Sequence, residues 1–499
     1  MIIYLLSVLK FPEVQSMKVI LASLLIFNLF SMPLFGASKE SAEKPSQKKE
    51  IKRKISSFEK SPYTEKILRF KNPKNVSSFL NELKNKQDNN ITSDYETRTY
   101  KALSLPLTHL KGIYWRLNKI ISKVKIFDNS VDSFLHKYYS NFDIRPSHIP
   151  PLWQFITAPV PSKGQFKKAS DVQNFTLTTL IPSIDEAIKR LRSIEAELIQ
   201  QQNEDLALFN LDLALIYGEQ RVQNLINKKT RYLNVYTSDL ILVKAWLQDL
   251  KGSLLYLASY NFNGFHKMVN IFRGHIVLGD AAKFFSGFRL KKNRLTNYQA
   301  LSESKLFMLK KLLTKKRYKN LFAMKNSKYR GAHTLTKSKE AFIGAVESKM
   351  KAIKISNKNI LNNDLNRSRR LGIESGNDFF KLSLKHLQLK RDLLKGPTVV
   401  HDRLFTEKVK VNVNALFDPT NRSIRDLKNL LPRPNQFQTK PHRFKKNHPI
   451  RTQSGLPYLN LGGLLPDVEN FQDLKKKKFL LIQRAGVGFP LGIWLTVLI

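Results

Sequence analysis

The sequence predicts a mainly α-helical fold: an antiparallel helical bundle or irregular α-solenoid core, with a basic helical extension and disordered segments. Three observations carry that expectation. Apolar residues recur at steps of three and four over long stretches, helix-end signals flank several of them, and glycines fall between the patterned stretches. No motif returns at a fixed period, so no specific repeat family is implied.

Residues 17–40 read "MKVILASLLIFNLFSMPLFGASKE". One lysine, then an apolar run, then small residues 36–38 is the order of a secretory signal peptide, with cleavage after Ser38 or Ala37. Translation starting at Met17 would fit that order better than Met1. The competing expectation is that 1–38 stays as an N-terminal membrane anchor. Residues 39–55 are charged and lack apolar periodicity, so they read as a linker.

A small, mainly helical region is expected over 56–170. "VSSFLNELKNK" from Val76 reads as a helix with Ser77 or Ser78 as its cap. In "LKGIYWRLNKIISKVKIF" from Leu110, the residues Ile113, Leu117, Ile120 and Ile121 share one helical face. Prolines 146, 150, 151, 159 and 161 mark 141–170 as a loop or boundary, anchored by Trp153 and Phe155.

The helical core is assigned to 171–290. Ile184, Ile188, Leu191, Ile194 and Leu198 form an amphipathic stripe able to pack as in a coiled coil. Pro182 and Ser183 mark its start, with Asp185 and Glu186 suiting the N-terminal dipole. The pattern is read as helical through "NEDLALFNLDLALIYGEQ" and again through "TSDLILVKAWLQDLKGSLLYLASY". Glycines 252, 264 and 274 are taken as breaks between helices.

A basic helical region follows over 291–400. One helix is expected over 305–325, with Leu306, Leu309, Leu313 and Leu321 on one side. Another spans "NDFFKLSLKHLQLKRDLLKGP", capped by Asn377 or Asp378 and stopped by Gly396-Pro397. Residues 401–465 read as a basic, proline-containing extended arm. Residues 466–499 form an apolar tail, expected to be buried or peripheral to a membrane rather than spanning it.

Charge narrows the partner. The chain has 85 basic and 39 acidic residues, net +46. Residues 171–250 hold 8 basic and 11 acidic groups, whereas 251–450 hold 43 and 12. That partition argues for a localised cationic surface rather than an evenly basic background. Residues 305–330 alone carry ten Lys and Arg and no acid. The candidate polyanion-binding residues are Lys310, Lys311, Lys315, Lys316, Arg317, Lys319, Arg367, Arg369 and Arg370.

With no cysteine, disulfides, thiolate nucleophiles, thiolate zinc sites and iron–sulfur clusters are excluded. The His401-Asp402 pair lacks the additional ligands of a phosphohydrolase. His266 and His275 are wrongly spaced to share a helix face. The S-x-x-K matches at Ser57 and Ser122 lack partner motifs, and "GVGFPLG" from Gly486 lacks the setting of a phosphate loop. No catalytic residue, metal or cofactor is therefore assigned.

The expectation is an exported, non-enzymatic helical protein that meets an anionic envelope polymer or lipid head groups by multivalent charge pairing. One alternative is non-specific nucleic-acid binding, with Tyr329, Phe437 and Phe444 as stacking groups. Another is a helical scaffold that recruits protein partners.

Overall fold

The computed structural model describes residue 63 and residues 73–85, 95–121, 151–202, 205, 207–212, 232–265, 267–268, 315–326, 330–360, 377–401, 408–430 and 462–467. The candidate signal segment, the charged linker and residues 468–499 of the apolar tail lie outside them, as do Trp153's side chain and Gly274. The described residues are mainly α, with two short antiparallel strand pairs.

The first helices are α1 (Pro73–Asn85), α2 (Tyr95–His109), α3 (Ile113–Ile121) and α4 (Pro151–Thr157). Helix α1 starts ahead of the expected serine cap because Pro73 suits a first helical position. Residues 151–157 are a short helix rather than loop, and Phe155 is buried, as an anchoring role requires.

Helix α5 (Ala169–Phe175) runs through a π turn (Thr176–Leu180) into α6 (Ile181–Gln202). The helical path therefore begins well before Pro182, the expected start. Pro182 has no N–H to give the preceding turn, and the wider π turn sits directly ahead of it. Ile184, Ile188, Leu191, Ile194 and Leu198 are all buried. Each stabilises the packed state by roughly 1.5–3 kcal/mol relative to exposure.

Beyond α6, "ALFNLD" forms β1 (Ala207–Asp212), paired antiparallel with β2 (Tyr232–Tyr236). The helical expectation for this stretch is corrected: it pairs as a strand, and only Phe209 and Leu211, alternating with Asn210 and Asp212, carry the strand period. Helix α7 (Thr237–Ala258) follows directly. The Asp205 carboxylate accepts hydrogen bonds from Ser238 N (2.8 Å) and Ser238 Oγ (2.9 Å). Asp239 accepts from Tyr236 N at 3.0 Å. Two carboxylates thus satisfy donors at the positive end of the helix.

Seventeen of the 22 residues of α7 are buried, so it must be covered on every side. Helix α6 lies against one side and α8 (Gly331–Ile360) against another. Lys251 pairs with Asp185, and Lys244 with Glu195, which sets α6 antiparallel to α7. Ser338 Oγ donates to Gly252 O at 2.6 Å and Ser348 Oγ to Gln248 Oε1 at 2.9 Å, which sets α8 antiparallel as well. Gly252 is therefore no helix break. It lies inside α7, where a Cβ would sit 3.0 Å from the Phe342 ring. Gly264, at φ +85°, does occupy a turn beyond the helix.

Two apolar cores share α7. One gathers α1, α2, α3, α4, α6 and the α7 residues Leu240, Leu247, Leu250, Leu254 and Leu255. The other gathers Tyr256 and Tyr260 with α8, α9 (Asn377–Lys395), β4 (Lys408–Val411) and residues 413–424. Helix α9 stops at Gly396, as its sequence signals predict. Strand β3 (Thr398–His401) then pairs antiparallel with β4.

The expected extended arm is corrected over 408–430. Val409, Val411, Val413, Leu416, Phe417 and Ile424 are buried in the second core, and Phe417 packs edge-on against Tyr256. Leu464 and Leu465 are buried beside them, and Asn412 N donates to Leu464 O at 2.8 Å. No helix among the described residues is long and apolar enough to cross a membrane.

Candidate polyanion-binding surface

Of the nine candidate cations, Lys315, Lys316, Arg317 and Lys319 are described; Lys310, Lys311, Arg367, Arg369 and Arg370 lie outside the described residues, as do Tyr329, Phe437 and Phe444. The described part of the expected 305–325 helix is not α-helical. It is a 3₁₀ turn (Lys316–Tyr318) followed by further turn through Phe322 and then bridge-paired backbone at Ala323 and Met324.

The reason is tertiary pairing. Asn261 N donates to Ala323 O at 2.9 Å, Phe322 N to Asn261 O at 2.8 Å and Lys325 N to Ser259 O at 2.9 Å. On the other edge, Met324 N donates to Arg425 O at 2.7 Å and Leu427 N to Phe322 O at 3.2 Å. Residues 322–325 are therefore a strand-like link between the end of α7 and α10 (Arg422–Arg425). Phe322 has φ +62°, a conformation no helix interior contains. Its ring is held edge-on by Phe262 (5.6 Å) and Phe265 (5.8 Å).

This pinning separates charge from apolar bulk within the eight residues 315–322. Tyr318, Leu321 and Phe322 are buried, whereas Lys315, Lys316, Arg317 and Lys319 are exposed. None of those four cations forms an ion pair among the described residues. Arg317 also lies over the Tyr318 ring, its guanidinium carbon 4.9 Å from the ring centre. Lys428 secures the turn from below: its ammonium donates to the carbonyls of Tyr318 (3.3 Å) and Lys319 and pairs with Asp426. Loss of solvent depresses the pKa of half-buried Lys325.

The sequence reading missed two further cations. Arg422 and Arg425 are exposed on α10, whose following residues hydrogen-bond the same link. Arg425 Nε donates to Pro419 O at 2.8 Å, which fixes the guanidinium without neutralising it. They lie about 100 residues from the cationic turn in sequence, so only the backbone pairing identifies them.

Fold and surface together define a mainly α-helical protein with a rigidly backed cationic turn. No family model, curated protein or solved structure matches the chain.

Proposed function

We propose that this is an exported, non-enzymatic protein that associates electrostatically with an anionic envelope polymer or lipid head groups through the 315–319 turn. The supporting observation is the four exposed cations, unpaired among the described residues, on a turn whose carbonyls are held by Lys428 and which leads into backbone at 322–325 tied to two other segments. A fixed array loses less freedom on binding than the same charges on a loose chain. Multivalent contact of this kind releases counter-ions and is steeply salt-dependent.

The test is binding of the full chain to phosphatidylglycerol vesicles and to polyphosphate across a salt series. Neutralising Lys315, Lys316, Arg317 and Lys319 to Gln should make the log–log salt slope shallower by about 3, four charges at roughly 0.7 each. Binding indifferent to ionic strength, or an unchanged slope in the variant, would sink the proposal. The N-terminal residue and mass of the chain from fractionated cells test export. An uncleaved chain in the cytoplasmic fraction with co-purifying nucleic acid would make nucleic acid the partner instead.

A further inference from the structure

A second cationic cluster lies far from the 315–319 turn, on the first core. It is built around Gly112, between α2 and α3, with φ +65°. Gly112 N donates to Phe155 O at 3.0 Å. A Cβ there would stand 1.9 Å from Val160 Cγ2 and 2.5 Å from Ala158 O. Only glycine permits the segment after α4 to lie this close to the α2–α3 turn.

That approach brings Lys163 next to Lys111 and Arg116, whose charges act on it directly. Arg116 is held by three contacts. Its guanidinium stacks over Phe166 (4.1 Å) and Phe175 (4.7 Å), and Nε donates to Gly164 O at 3.4 Å. Phe166 N returns a 2.8 Å bond to Arg116 O. Lys111 Nζ donates to Ser77 Oγ at 2.9 Å on α1, and His109 at the end of α2 feels both Lys163 and Lys84. Arg116 and the residue after Lys163 are thus in direct contact, Lys111 flanks the Gly112 turn that packs on Val160, and Lys84 and His109 lie within electrostatic reach at the ends of α1 and α2.

None of the five is in an ion pair among the described residues. The negative ends of α1 and α2 account for a cation at Lys84 and His109. They do not account for Arg116 and Lys163, which lie away from those ends. The repulsion is unrelieved: burial, then Lys163 and Lys84, lower the His109 pKa, and burial, then Arg116 and Lys111, lower that of Lys163. Beside Arg116, the space where a Gly164 side chain would project holds no atom of the described residues within 4 Å.

We propose that Lys84, Lys111, Arg116 and Lys163, with His109 at the edge, form an oxyanion site for a phosphate-type group. Arg116 supplies the planar fork that matches two phosphate oxygens, already immobilised by two rings. Lys111 and Lys163 supply charge from the flanks, and Lys84 completes the field. The group arrives either as a soluble phosphate or as a lipid head group, and the chemistry is the same.

His109 is the local reporter. The full chain carrying labelled histidine, with its resonance assigned by His109→Gln, is titrated with inorganic phosphate and with chloride at matched ionic strength and fixed pH. Phosphate should shift the His109 resonance to saturation and chloride should not. Lys163→Gln, at an exposed position, should weaken the response about tenfold, as should Arg116→Lys, which keeps the charge but loses the fork. Neutralising the 315–319 turn should leave the response unchanged, which separates this site from the one proposed above. Phosphatidate vesicles reproducing the shift while phosphatidylcholine vesicles do not would assign a lipid source; a response to free phosphate alone would assign a soluble one. Superimposed phosphate and chloride titrations, or wild-type affinity in Lys163→Gln, would overturn the site.

Discussion

Lys244 of α7 and Glu195 of α6 are ion-paired in the interior, with side chains 7% and 5% exposed. The second Glu195 oxygen accepts from Lys351 of α8 at 2.6 Å. One carboxylate therefore joins three helices. Removing it leaves the Lys244 ammonium buried without its partner, so Glu195→Gln should cost about 3–5 kcal/mol. Replacing the buried pair together, Glu195→Leu with Lys244→Met, should cost far less, because no charge is then stranded. Urea denaturation of the two variants measures both; equal losses would show that the pair itself, not a stranded charge, sets the cost.

The same carboxylate sets an acid limit. Burial pushes the Glu195 pKa up, but the hydrogen bonds and charges of Lys244 and Lys351 together outweigh it and hold the value low. Glu197 is lowered chiefly by its hydrogen bonds from Arg98. A carboxyl with a depressed folded pKa contributes stability above its unfolded value, about 4.3, and loses it as pH falls through the folded value. The gap in stability between wild type and Glu195→Gln should accordingly narrow below about pH 4. A gap constant from pH 7 to pH 3 would contradict this.

Gly252 gives a packing prediction. An added Cβ meets three Phe342 ring atoms at 3.0–3.1 Å, so Gly252→Ala sets a gain in helix propensity of about 1 kcal/mol against overpacking of about 1–3 kcal/mol. Phe342 is itself held by Phe417 at 6.0 Å and has little freedom to yield. Net destabilisation is expected, read as a lower thermal midpoint, and Gly252→Ala combined with Phe342→Leu should recover part of it.

These cases show what a linear reading can reach. The α6 stripe and the C-terminal stop of α9 were legible because one face, or one stop signal, is decided locally. Helix α7 is apolar on nearly every face, so periodicity could not show that Gly252 lies within it rather than at a break. The β1 residues follow a strong helix and are too few to display their own period clearly. The exposed cations of 315–319 were legible as charge, but their turn was not. Phe322 leaves helical geometry to pair with residues near 260 and 426, and no local pattern encodes that. The Arg116 cluster was invisible for the same reason, since it gathers positions from 84 to 163.

Lys428 tests whether pinning the turn matters to binding. Its ammonium holds the carbonyls of Tyr318 and Lys319, and its own charge is met by Asp426 at 3.3 Å. Lys428→Met keeps much of the apolar stem and deletes those bonds. Net hydrogen bonds of this kind contribute about 1–2 kcal/mol, so amide exchange over 318–322 should quicken roughly five- to thirtyfold. The four exposed cations remain, so the salt slope of polyanion binding should stay as in wild type. Affinity at fixed salt should fall several-fold, because the array must now be ordered on binding. Faster exchange with unchanged affinity would mean that charge density alone carries the interaction. Lower affinity at an unchanged slope would mean that the fold contributes by holding the cations in place.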